Sequence, residues 1–131
     1  MARVDDRLCG TIGDIGCFSF YPSENLGAYG DGGMVLTNNN SLAERLRRLR
    51  NYGKQEAHFH SEVGFNSRLD SLQAGILLCK LPHLEKWTAA RQKASSWYTK
   101  GFSDMPITPL GTAPGAEPVY HLIYCPNGQA R

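Results

Sequence analysis

Four glycines, Gly27, Gly30, Gly32 and Gly33, fall within Asn25–Gly33, so the backbone there visits φ > 0 or passes close to another group. Bare backbone N–H groups suit a phosphate, so phosphate motifs are the first test. The stretch Gly27-Ala28-Tyr29-Gly30-Asp31-Gly32-Gly33 fits neither G-x-G-x-x-G nor a P-loop ending in G-K-[ST], and a tight structural crossing explains the glycines at least as well. His58-Phe59-His60 can put two imidazoles on one side of an extended segment. A metal site needs a third and fourth ligand, and none stands at a telling spacing; a mobile loop with exposed histidines is expected, and no metal. His83 and His121 stand alone and read as structural. Ser19 could serve as a hydrolytic nucleophile, but no G-x-S-x-G elbow surrounds it. Arg45, Arg47, Arg48 and Arg50 could hold phosphates, although a solvated helix face is the better account.

The elements that must position these groups follow from periodicity. Asp14–Tyr21 is a short apolar and aromatic run stopped by Pro22, which reads as a strand, and Gly33–Thr37 reads as a second. Ser41 opens a helix with a capping-box partner at Glu44, and Leu42, Leu46 and Leu49 mark its buried stripe up to Gly53. Residues 54–64 have no apolar period and read as a loop. Leu69, Leu72, Gln73, Ile76, Leu77 and Lys80 repeat at helical spacing; Pro82 bends or restarts the chain, and residues 83–102 form a longer helix. That helix carries an apolar stripe of Leu84, Trp87, Ala90, Ala94, Trp97, Tyr98 and Phe102. Residues 105–118 are rich in proline and glycine and read as a linker before a strand-like run at 119–124. The last five residues, 127–131, carry no cap or return, which suggests a truncated chain.

At 131 residues, with 41% hydrophobic and 20% charged residues, the chain is long enough for one α/β domain with its own core and is not of disordered composition. A net charge of +2 gives no reason to expect nucleic acid or an anionic membrane. The amino-terminal residues lead into no apolar segment, so no signal peptide is read and the cytoplasm is the expected compartment. Cys9, Cys17, Cys79 and Cys125 form no C-x-x-C pair and are expected to be reduced and mostly buried.

The segment Gly13–Gly33, GDIGCFSFYPSENLGAYGDGG, resembles the cofactor-lysine segment of the DegT/DnrJ-type sugar aminotransferases, approximately G-D-x-x-x-F-S-F-x-x-x-K-N-L-G…G-D-G-G. Gly64–Leu77, GFNSRLDSLQAGIL, resembles that family's G-[YF]-N-x-R-L-D-x-[IL]-Q-A-A-I-L, and Lys80–Leu84 resembles the turn after it. Val119–Leu122 is similar to the strand opening the family's smaller carboxy-terminal region. The matches occur in order over nearly the whole chain.

The resemblance implies part of the aspartate-aminotransferase-like fold of pyridoxal-phosphate enzymes, with a few strands packed on three helices. Residues 1–105 would be the later part of the large cofactor-binding domain, and 106–131 a linker and the start of a truncated small domain. Ser19 would hold the cofactor phosphate, and Asn66 the phosphate of a neighbouring subunit, so a homodimer is implied; without the family motif, Asn66 reads better as a turn or cap before the Asp70 helix. Glu24 occupies the position of the family's Schiff-base lysine. Only an amine condenses with the cofactor aldehyde, and a carboxylate cannot. Glutamate is also not the histidine found in the dehydratase relatives. The family's upstream half, with the aspartate that pairs with the pyridine nitrogen, has no counterpart here. The expectation is a truncated relative of an enzyme moving an amino group from glutamate to a nucleotide-linked keto sugar, inactive as it stands and not binding pyridoxal phosphate stably. The alternatives are a non-catalytic binding or interaction module and one piece of a split aminotransferase.

Overall fold

A computed structural model describes residues 1–126. The chain opens with a hairpin of β1 (Arg3–Val4) and β2 (Arg7–Leu8). Asp5 and Asp6 turn it at φ 48° and 61°, and aspartate is among the few non-glycine residues that accept the left-handed region. β3 (Gly16–Ser19) and β4 (Gly33–Leu36) pair antiparallel, with Gly16 opposite Leu36 and Ser19 opposite Gly33. The glycine loop is therefore the connection within this pair. Its base is closed by Phe20 N–H on Gly32 O at 2.8 Å and Ala28 N–H on Phe20 O at 2.8 Å.

Helix α1 (Asn40–Leu49) is capped by Asn39 rather than by the expected Ser41–Glu44 box. Asn39 has an extended backbone (φ −90°, ψ 112°), and its Oδ1 accepts from Ser41 N at 3.0 Å and Leu42 N at 3.2 Å. Ser41 already lies inside the first turn, where its hydroxyl donates to the same Oδ1 at 2.7 Å. The helix ends at Leu49, and Tyr52 (φ 61°) and Gly53 (φ 70°) reverse the chain, with Gly53 N–H on Arg48 O. The segment expected to be a loop contains a short hairpin, β5 (Lys54–Glu56) and β6 (Phe59–His60), irregular between Lys54 and Glu56. Its polar, exposed strands carry no apolar alternation, which is why periodicity does not reveal it.

Helix α2 (Ser71–Lys80) starts at an Asp70 cap, whose Oδ1 accepts from Gln73 N at 2.9 Å. Pro82 sits in a single 3-10 turn, Leu81–His83, and α3 (Leu84–Gly101) restarts the chain as expected. The expected strand at 119–124 is irregular; Tyr120 has φ 47°, which interrupts an extended run. A two-residue strand just before it, β7 (Ala116–Glu117), pairs with the other edge of β1, with Arg3 opposite Glu117 and Val4 opposite Ala116. Residues 127–131, read as ending without a cap, lie outside the described residues.

The expected closed core is absent among the described residues. Only Ala28 and Leu77 are buried apolar side chains, at 1% and 7% exposure. The α1 stripe of Leu42, Leu46 and Leu49 is half-covered. The α3 stripe is not buried, since Trp97 is 64% and Tyr98 54% exposed. Accessible surface totals 10242 Å² for 14.5 kDa, against about 6,900 Å² for a compact monomer of that mass. The difference is the size of a large obligate interface. Of the cysteines, all free, Cys17 and Cys79 are exposed rather than buried, because β3 and α2 each leave one face uncovered. No helix among the described residues is long and apolar enough to cross a membrane.

Candidate functional site

Ser19 ends β3, and the chain then turns sharply. Tyr21 N–H donates to Ser19 Oγ at 3.2 Å, and Glu24 N–H donates to Tyr21 O at 2.9 Å. Because the Ser19 oxygen accepts from Tyr21, its hydroxyl hydrogen is the part left to donate outward. Two short links thus bring Ser19 and Glu24 to one turn.

The Glu24 carboxylate is two-thirds covered and faces His121, with Oε2 3.6 Å from Nδ1. That separation is too long for a hydrogen bond and short enough for an ion pair when the imidazole is protonated. His121, read from sequence as a lone structural histidine, is therefore within ion-pair distance of the carboxylate at position 24. Residues 118–121 are held over this turn by their carbonyls. Gln92 Nε2 donates to Pro118 O at 3.1 Å and Asn25 Nδ2 to Val119 O at 3.1 Å. Arg91 Nη1 reaches Tyr120 O and His121 O, each at 3.3 Å. An open groove of about 390 Å³ beside this strap is lined by Asn25, Trp87, Ala90, Arg91 and Ala94.

The glycine loop is clamped from α2. Gln73 Oε1 accepts from Tyr29 N at 2.7 Å. Lys80 Nζ donates to Gly27 O at 2.6 Å and lies 4.6 Å from the Tyr29 ring centroid. A Cβ at Gly27 would run into the Pro22 and Tyr21 carbonyls, and one at Gly32 would lie 3.1 Å from Leu69 Cδ1. The glycines are required because the loop packs against its own turn and against the residue preceding the α2 cap. Sequence reasoning placed Gln73 and Lys80 in the helical period without a role. The available signal was their polarity at two positions seven apart on an otherwise apolar face.

Asn66 makes its contacts elsewhere. It forms an isolated antiparallel bridge with Asn51, and its Oδ1 accepts from Arg68 Nε at 3.2 Å. It has no hydrogen bond to Ser19 or Glu24. Nearby, Glu62 ties α1 to the end of the β5–β6 hairpin, with Oε2 3.0 Å from Arg45 Nε and Oε1 3.3 Å from Arg48 Nε. The hydrogen bond from Arg45, with the added pull of both guanidinium charges, holds the Glu62 carboxyl below the usual carboxylate range. So part of the basic cluster of α1 is spent on a salt link. His60 Nδ1 lies 2.9 Å from Tyr52 O. Among the described residues no group of three or more His, Cys, Asp or Glu is gathered for a metal.

These elements, a strand pair with a clamped glycine loop followed by three helices, define part of the fold of the pyridoxal-phosphate-dependent aminotransferases of fold type I. The crystal structure of S. venezuelae DesV in complex with a ketimine intermediate superposes with a TM-score of 0.86 at 45% identity, over 93% of this chain and 33% of that one. A DegT DnrJ EryC1 StrS aminotransferase from Brucella abortus superposes at 0.84 with 36% identity, over 92% of this chain and 32% of that one. The chain belongs to the DegT/DnrJ/EryC1/StrS aminotransferase family, whose profile it matches over residues 1–129. Among curated relatives it is 45% identical over 123 residues to the dTDP-3-amino-3,4,6-trideoxy-alpha-D-glucose transaminase of Streptomyces venezuelae, covering 93% of this chain. The chain spans about a third of the length of the curated relatives it matches.

Proposed function

We propose that this chain supplies the middle portion of a pyridoxal-phosphate-dependent nucleotide-sugar aminotransferase, and that it does not catalyse amino transfer as it stands. In this reading residues 1–105 belong to the large cofactor-binding domain and 106–131 lead into the small one. The parent reaction moves an amino group from glutamate to a nucleotide-linked keto sugar in the cytoplasm, in a homodimer. The relatives' names support the substrate class: nucleotide-linked sugar aminotransferases recur among them.

The fit of the cofactor is split. The outward hydroxyl of Ser19 and the amide of Asn66 are neutral donors suited to phosphate oxygens. Position 24 does not fit, because a carboxylate offers no amine to the cofactor aldehyde. The observation that carries the proposal is Glu24 itself, turned toward His121 at 3.6 Å. The wide uncovered surface favours a second reading, one piece of a split enzyme that is completed by a separate polypeptide.

Mixing the chain with the remaining two-thirds of a relative's fold tests both readings. Glu24→Lys with that complement should develop a cofactor absorbance band and transaminate; Glu24→Lys alone should not. A band from the unaltered chain plus complement would remove the lysine argument. Failure of Glu24→Lys plus complement to associate would leave a non-catalytic module as the surviving account.

A further inference from the structure

We propose that Arg68 is a positioning residue that fixes the Asn66 side chain with its NH2 group turned outward, the orientation a phosphate donor must have. The inference rests on the reading of Asn66 as a phosphate contact. An exposed asparagine normally has two nearly isosteric amide orientations, one presenting a donor and the other an acceptor. An acceptor turned toward a phosphate repels it.

The surroundings of Asn66 remove that ambiguity. A guanidinium carries five N–H donors and no acceptor, so the end of the amide facing Arg68 Nε, 3.2 Å away, must be the carbonyl oxygen. The NH2 is then the end left over, and among the described residues it makes no hydrogen bond. Arg68 is itself held from two further sides. Its Nη1 donates to Asn51 Oδ1 at 3.1 Å, and its guanidinium carbon lies 5.4 Å from the Tyr52 ring centroid. Asn51, Tyr52 and Asn66 are tied to one another through the backbone. Asn51 bridges Asn66, Tyr52 N–H donates to Phe65 O at 2.9 Å, and Ser67 N–H donates to Arg50 O at 2.9 Å. The left-handed φ of Tyr52, 61°, is what brings its ring and the Asn51 amide to the same guanidinium. The planar fork of arginine can span two amides at once, which the point donor of a lysine cannot.

The test is relaxation and coupling measurement on the side-chain amide of Asn66 in 15N-labelled chain, before and after adding inorganic phosphate or pyridoxal phosphate. In the unaltered chain the Asn66 side chain should be about as ordered as its own backbone amide. Arg68→Gln, which can donate or accept, should free it, while Arg68→Lys should keep it partly ordered. Loss of that order should weaken the phosphate-induced shift about three- to tenfold, as expected when one side chain must be immobilised on binding. Unchanged backbone resonances at Asn51 and Ser67 show that the bridge survives the substitution. Should Arg68→Gln disturb the bridge, Asn51→Ala serves instead: it keeps the backbone bridge, releases Arg68 Nη1 from its 3.1 Å partner, and should loosen the Asn66 side chain. An Asn66 side chain mobile in the unaltered chain, or equally ordered in Arg68→Gln, overturns the proposal. If order depends on Arg68 but neither phosphate compound moves Asn66, the positioning role stands and the reading of Asn66 as a phosphate contact falls.

Discussion

Lys80→Met isolates the clamp that α2 places on the glycine loop. Methionine keeps an unbranched apolar stem and removes the charge, so the half-buried donor to Gly27 O at 2.6 Å and the cation above Tyr29 at 4.6 Å are both lost. A hydrogen bond from a charged group contributes about 1.5–3 kcal/mol, and the lower half of that range applies because Lys80 is only half-buried. The ring contact adds little, since Tyr29 is 74% exposed. Taking about 1.5–2 kcal/mol in all, local opening of the loop should become ten- to thirtyfold more frequent, at about 1.4 kcal/mol per factor of ten. Hydrogen exchange of the Ala28 and Tyr29 amides reads this directly, because each is bonded inside the clamp, to Phe20 O and to Gln73 Oε1. Lys93→Met is the control, since that lysine lies over the Trp97 ring on α3, away from the loop. Unchanged exchange at both amides, or the same acceleration in the control, would refute the clamp.

Asn39→Ala should destabilise α1 by about 1 kcal/mol in local exchange, whereas Ser41→Ala should do markedly less; the reverse order would restore the capping box. Glu62 has a lowered native pKa, so its link between α1 and the hairpin is present above the unfolded carboxylate range and is lost as pH falls through the native value. Exchange at Phe65, bonded to Leu49 O, should therefore quicken as pH falls through the lowered Glu62 value, after correction for intrinsic rates, and Glu62→Gln should abolish that dependence. The uncovered α3 stripe and the surface excess should drive association at micromolar concentration, with binding of a hydrophobic dye; sedimentation as a clean monomer without dye binding would contradict this.

The sequence made the helices and the β3–β4 pair legible because their residues carry period and stops: Leu42, Leu46 and Leu49, Pro22, Pro82. The family motifs made position 24 legible, and no other feature singles out Glu24. The short hairpins were not legible, because two- and three-residue polar strands such as Lys54–Glu56 have no period to read. The cap lies two residues before Ser41 because three successive asparagines precede it and any of them can accept. His121 could not be paired with Glu24 from sequence, since 97 positions separate them and only the strap at 118–121 brings them together. The buried core was overestimated for a related reason. Periodicity shows which face of α3 is apolar, but not whether any partner covers it.

Residue 24 offers this chain no amine with which to hold the cofactor. The direct measurement is to incubate the unaltered chain with pyridoxal phosphate, reduce with borohydride, and locate every adduct by peptide mass mapping, alongside an assay of amino transfer from glutamate to a nucleotide-linked keto sugar. The expected result is no adduct on the peptide containing Glu24, weak scattered labelling of lysines such as Lys54 and Lys86, and no amino transfer. Tight stoichiometric cofactor binding accompanied by transamination would contradict the account.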